Sequence, residues 1–140
     1  MIQSGNMRIR LTIGSEEAVF ICRRPTTRES SNFLNTRWVR GKRNKIDDRL
    51  YEARRAFIDL ILVDLEEVVF KTAAGEVVPL NAAAVLSPAD IEHWSQVLGE
   101  PVKSWKDLIP VQWKSSVAQR FEDVPNFDGD EEEGEAAAGN

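Results

Sequence analysis

IDDRLYEARRAFIDLILVDL, residues 46–65, is the stretch on which the fold turns. Ile46, Leu50, Ala53, Phe57, Leu60 and Ile61 recur at helical spacing, and Tyr51, Glu52, Arg54 and Arg55 cover the other side. Asp47 or Asp48 opens the helix. From Phe57 onward nearly every face is apolar, so the pattern predicts a helix from about Asp47 to Leu65 whose second half sits at the centre of the fold. Asp59 and Asp64 interrupt that half. On a helix they face different ways, and Asp59, one turn after Arg55, is expected to pair with it.

Upstream, Arg8–Ile13 alternates polar and apolar residues and reads as a strand. Gly14-Ser15-Glu16-Glu17 is a turn signal, and Ala18–Cys22 is a second strand, which makes a hairpin. Pro25 ends it. Thr26 or Thr27 can cap a weak or short helix carrying Phe33, Leu34 and Trp38 on one face, with Thr26 and Glu29 at capping-box spacing. Gly41–Lys45 is a polar connection.

Downstream, Val68–Lys71 and Val77–Leu80 flank Ala73-Ala74-Gly75-Glu76 as a second hairpin, with Pro79 on an edge strand. Ser87-Pro88-Ala89-Asp90 starts a helix whose buried face is expected to be Ile91, Trp94 and Leu98, stopped by Gly99 and Pro101. Ser104–Ile109 is a short turn or helix. A last helix starts near Pro110, with Trp113, Val117 and Phe121 one turn apart. The expected fold is therefore α+β: two small β-hairpins packed with three to four helices. Residues 8–122 form one domain, between a flexible N-terminus (1–7) and a disordered acidic tail (123–140).

The net charge of −5 hides a strong asymmetry. Glu122–Asn140 holds eight acidic and no basic residues, which leaves 18 basic against 15 acidic residues in 1–121. Arg23–Arg55 carries eleven Lys/Arg against four Asp/Glu. A block of like charge with one aromatic, Phe127, cannot bury enough apolar surface to fold. A single cysteine excludes an intramolecular disulfide, and the longest apolar run, Phe57–Leu65, is too short to span a bilayer. The polar start has no signal-peptide core, so the cytoplasm is the expected compartment.

No arrangement of residues points to catalysis. His93, the only histidine, reads as a surface or half-buried residue, since no nucleophile or carboxylate is evidently aimed at it. Cys22 lies beside Arg23 and Arg24, which could activate it, but Val19-Phe20-Ile21 before it argues for a buried strand cysteine. One Cys and one His cannot build a structural zinc site. Asp128–Glu132 lacks calcium-hand spacing, and no phosphate loop, dinucleotide fingerprint or nucleophile elbow occurs. The chain is accordingly read as a non-enzyme with no cofactor and no metal.

Two surfaces remain. Arg37, Arg40, Lys42, Arg43, Lys45 and Arg49 flank Trp38 and Tyr51, a pattern suited to phosphate contact and base stacking; the plain alternative is a solvated loop and helix face. The acidic tail could fold onto this patch and compete with an anionic partner. Trp105, Leu108, Ile109 and Trp113 form an aromatic–aliphatic cluster around two prolines, which serves either as core or as a protein-binding surface.

The Arg23-Arg24-Pro25-Thr26 phrase after a strand, the Trp105-Lys106-Asp107-Leu108-Ile109-Pro110 stretch leading into Trp113-Lys114, Ala118 and Phe121-Glu122, the size and the acidic end resemble small tail-assembly proteins of tailed bacteriophages and prophages, particularly tail assembly chaperones. That resemblance spans residues 8–122 in general layout. It implies no catalytic residues, and it implies transient binding of a tail subunit or the tape-measure protein. The expected function is thus a phage-derived protein acting by protein–protein contacts. The alternative is a nucleic-acid-binding accessory protein using the Arg37–Arg49 segment. No membrane partner is expected, and the oligomeric state is left open.

Overall fold

A computed structural model describes residues 5–36 and 46–123. The elements run β1 (Met7–Ile13), β2 (Glu16–Cys22), α1 (Thr27–Thr36), α2 (Ile46–Ile61), β3 (Leu62–Glu66), β4 (Val69–Lys71), β5 (Val77–Pro79), α3 (Pro88–Leu98), a 3-10 turn (Trp105–Leu108) and α4 (Val111–Asp123). Helices pack against two small antiparallel sheets, ordered β1-β2-β3 and β4-β5, so the fold class is α+β as read from the sequence.

The β1–β2 hairpin pairs Met7 with Cys22 and Ile13 with Glu16. Its period-two pattern sends Met7, Ile9, Leu11, Ala18, Phe20 and Cys22 to the core. The opposite face is a lattice of charges: Arg8 pairs with Glu66 at 3.0 Å and Arg10 with Glu17 at 2.9 Å. Beneath these stems Val19 is fully buried although it points away from the main core.

The 46–65 stretch does not stay helical. The helix ends at Ile61, and Leu62–Glu66 runs straight into a strand that pairs antiparallel with β2, matching Phe20 to Leu65 and Ile21 to Asp64. The first sheet therefore has three strands instead of the two expected. An apolar run has no period with which to choose helix or strand. The open edge of β2 decides it, because its backbone groups need partners, and β3 supplies them. Arg23 N–H donates to the Ile61 carbonyl at 2.9 Å at the joint. The register slips between Ile21 and Cys22, and the strand does not alternate strictly: Leu62 and Leu65, three residues apart, are both buried while Val63 is exposed. Leu60, expected inside, is likewise exposed.

The caps follow the sequence. Thr26 Oγ1 accepts from Glu29 N–H and the Glu29 carboxylate accepts from Thr26 N–H, closing the capping box of α1. Ser87 and Asp90 do the same for α3, which Gly99 ends in the left-handed conformation at φ 76°. The core gathers β1, β2, α2 and α4 around Phe33, Phe57 and Phe121, with Phe57 stacked on Phe33 at 4.2 Å and edge-on to Phe121 at 5.2 Å.

Helices α2 and α4 are antiparallel and share a polar seam. Arg54 donates to the Glu122 carboxylate at 2.7 and 3.1 Å and to Ser115 Oγ at 3.0 Å. Lys114, with no exposed surface, sets its Nζ 2.6 Å from Asp59 Oδ1. Asp59 therefore does not pair with Arg55 as expected; Arg55 reaches Glu100 at 3.2 Å. Burial makes the difference, since a lysine with no exposed surface needs a carboxylate more than a half-buried arginine does. Asp64, now on β3, accepts from the N–H groups of Leu65 and Ala82.

Candidate protein-binding cleft

α3 is capped at both ends but poorly covered along its side. Ile91 and Trp94 are half-buried, and Leu98, expected on the buried face, is 41% exposed. Between this helix, strand β4, the 3-10 turn and the start of α4 lies a cleft of about 620 Å³. Trp94, Leu98, Leu108, Ile109 and Trp113 line it, and Val69, 60% exposed, stands on its β4 wall.

Three of the four residues singled out for protein binding thus converge here. Ile109 is buried beneath, while Leu108 and Trp113 are half-buried in the wall. Trp105 does not join them; it packs against the core, with the Lys106 ammonium 6.0 Å from its ring. Lys106 Nζ also donates to the Asp59 carbonyl at 2.7 Å, satisfying a group at the end of α2. Ile109 belongs to the core, and Trp105, Leu108 and Trp113 are all half-buried and packed against it. Val69, Trp94 and Leu98 were not singled out as binding residues. Their only sequence signal was apolarity, which reads equally well as core.

The cleft is built by specific caps. Ser104 and Asp107 form a capping box on the 3-10 turn, and Asp107 Oδ2 accepts from Lys103 N–H at 2.7 Å, so the chain turns sharply before α4. Trp94 Nε1 donates to the Lys71 carbonyl at 2.8 Å, tying α3 to β4. On the rim are Glu16, Glu100, Asp107 and Lys71, three acids against one base.

The titratable groups take structural parts. Cys22 is fully buried, and desolvation raises its thiol to about 12, so it stays protonated. Asp90 sits in a second cleft beside β5, but its oxygens accept from Ala73 N–H at 2.7 Å and Ser87 N–H at 3.1 Å, bonds that hold its carboxyl below the usual range. The Arg23 of the Arg-Pro-Thr phrase forms a two-pronged bond to Glu29 at 2.8 and 2.7 Å. That bond, with the Thr26 N–H, pulls Glu29 down to about 2. His93 is exposed and edge-on to Trp94. Among the described residues no group of three or more His, Cys, Asp or Glu could hold a metal ion, and no helix is long and apolar enough to cross a membrane.

Arg37, Arg40, Lys42, Arg43 and Lys45 lie outside the described residues, as does 124–140; Arg49 falls in α2, but its side chain is also outside them. Compared with known proteins, the chain matches no family model, no curated protein and no solved structure.

Proposed function

We propose that this chain is a non-catalytic binding protein that holds another protein in the Trp94–Trp113 cleft, and that it assists the assembly of a phage or prophage tail, with a tail subunit or the tape-measure protein as partner. The observation that carries the reading is the uncovered side of α3. Leu98 repeats at core spacing yet faces open space beside Val69 and Trp113. Contiguous apolar surface on a folded domain is kept where a partner covers it. Tryptophans in the wall suit such contacts because they bury a large area at low entropic cost. The test is co-expression with tagged tail subunits and tape-measure protein. Retention is expected, and Leu98→Asp or Val69→Asp should abolish it without lowering the melting temperature. Retention unaffected by both changes would remove the cleft from the account.

A second reading, nucleic-acid binding through Arg37–Arg49 modulated by the acidic tail, has one structural support. Because α2 and α4 run antiparallel, with Arg54 against Glu122, the end of α4 at Asp123 points toward the Ile46 end of α2. Deleting 124–140 should then raise affinity for short DNA or RNA, with a steeper loss as salt rises. No salt-sensitive binding by the truncated chain would end this reading.

A further inference from the structure

The cleft has a strand edge for one wall. In the β4–β5 ladder Leu80 N–H donates to Val68 O and Thr72 N–H to Glu76 O. Antiparallel strands alternate between hydrogen-bonded and non-bonded pairs, so residues 68, 70 and 72 bond inward, and Val69 and Lys71, opposite Pro79 and Val77, turn their backbone groups away from β5. The Lys71 carbonyl confirms that direction by accepting from Trp94 Nε1, on the cleft side. The Val69 N–H and C=O share this edge, beneath an apolar floor. The rim is acidic, with Glu16, Glu100 and Asp107 against Lys71. Glu100 shares its charge with Arg55, and Asp107 with two backbone N–H groups, but Glu16, at the start of β2, is exposed.

These features select one kind of occupant. A helix in the groove would leave the Val69 backbone groups without partners; an extended chain pairs with them as an added strand. An acidic segment would meet like charge at the rim, whereas lysine or arginine beside the apolar side chains would meet opposite charge. The geometry points to an extended, basic and apolar peptide segment of a partner protein, docked along the β4 edge with its apolar side chains on Trp94, Leu108 and Trp113. This rests on the protein-binding reading of the cleft and specifies the partner's local chemistry.

The test uses the full chain and two labelled synthetic peptides, one alternating valine with lysine and one alternating valine with glutamate, read by fluorescence anisotropy. The lysine peptide should bind at least about tenfold more tightly than its glutamate twin, and Glu16→Lys should narrow that gap. Methylating the backbone nitrogens of the lysine peptide removes its donors and should abolish binding. Val69→Pro should do the same from the protein side, because it deletes an outward N–H without breaking a ladder bond. Equal binding of the twins, or full binding of the methylated peptide, overturns the inference. If neither peptide binds while a tail protein is retained in a Leu98- and Val69-dependent manner, the extended basic occupant is wrong and the binding role stands. If nothing is retained either, both fall.

Discussion

Lys114 places an ammonium where its surroundings offer it little but one carboxylate oxygen of Asp59. Burial pushes its pKa below the usual lysine range, and the Asp59 carboxylate offsets part of that. Removing the partner should therefore cost more than removing the charge. Asp59→Ala is expected to destabilise the fold by about 3–5 kcal/mol, and Lys114→Met by clearly less, because Asp59 keeps access to water; urea midpoints of the two variants check the order. Glu29 carries an acid-range signature. Its folded pKa of about 2 lies below the ordinary 4.5, so its contribution is present above 4.5 and fades as the pH falls toward 2. Stability curves of wild type and Glu29→Gln should thus differ at neutral pH and converge across that window. Cys22, held neutral in the core, should react with a thiol reagent only as fast as the protein opens, a rate that denaturant will raise.

At the scale of elements, the caps were the most legible parts. Thr26 with Glu29, and Ser87-Pro88 with Asp90, write helix starts in local chemistry; the Thr26 box closes as read, and Ser87 caps α3 as read, with Asp90 completing a box that the helix-start reading had not named. Ser87→Ala should cost about 1 kcal/mol in thermal or urea unfolding. The α2–β3 joint was not legible, because residues after Phe57 are apolar in nearly every direction, Asp59 and Asp64 apart, and helix and strand bury them equally well. Only the pairing need of β2, far upstream, separates the two. Phe57, inside the legible part, bridges Phe33 and Phe121. Phe57→Ala is expected to lose about 3–5 kcal/mol, measured by the same unfolding curves.

Over the whole molecule, three sequence-distant pieces meet at one cleft: a β4 edge, the side of α3 and the turn into α4. Leu108, Ile109 and Trp113 were legible as candidates because their cluster is dense and built around Pro110 after the Ser104 turn. Trp105 looked identical to them and is as half-buried as Leu108 and Trp113, but it does not line the cleft. Leu98 looked like core and stayed outside. Each difference depends on what the neighbouring element covers, a property no local window contains. The binding predictions belong to this scale too: charge at Leu98 or Val69 should block a partner while leaving folding intact, since both side chains already face solvent.

Short-range chemistry is written residue by residue, so the chain alone determined its strand alternation, its helix starts, the burial of Cys22 and the α+β class. The tertiary structure decided the third strand, the choice of Lys114 over Arg55 as the partner of Asp59, and which aromatic residues line a cleft. Those outcomes are competitions between distant groups for the same hydrogen bonds, charges and covered area, and they are settled only when the competing elements pack together.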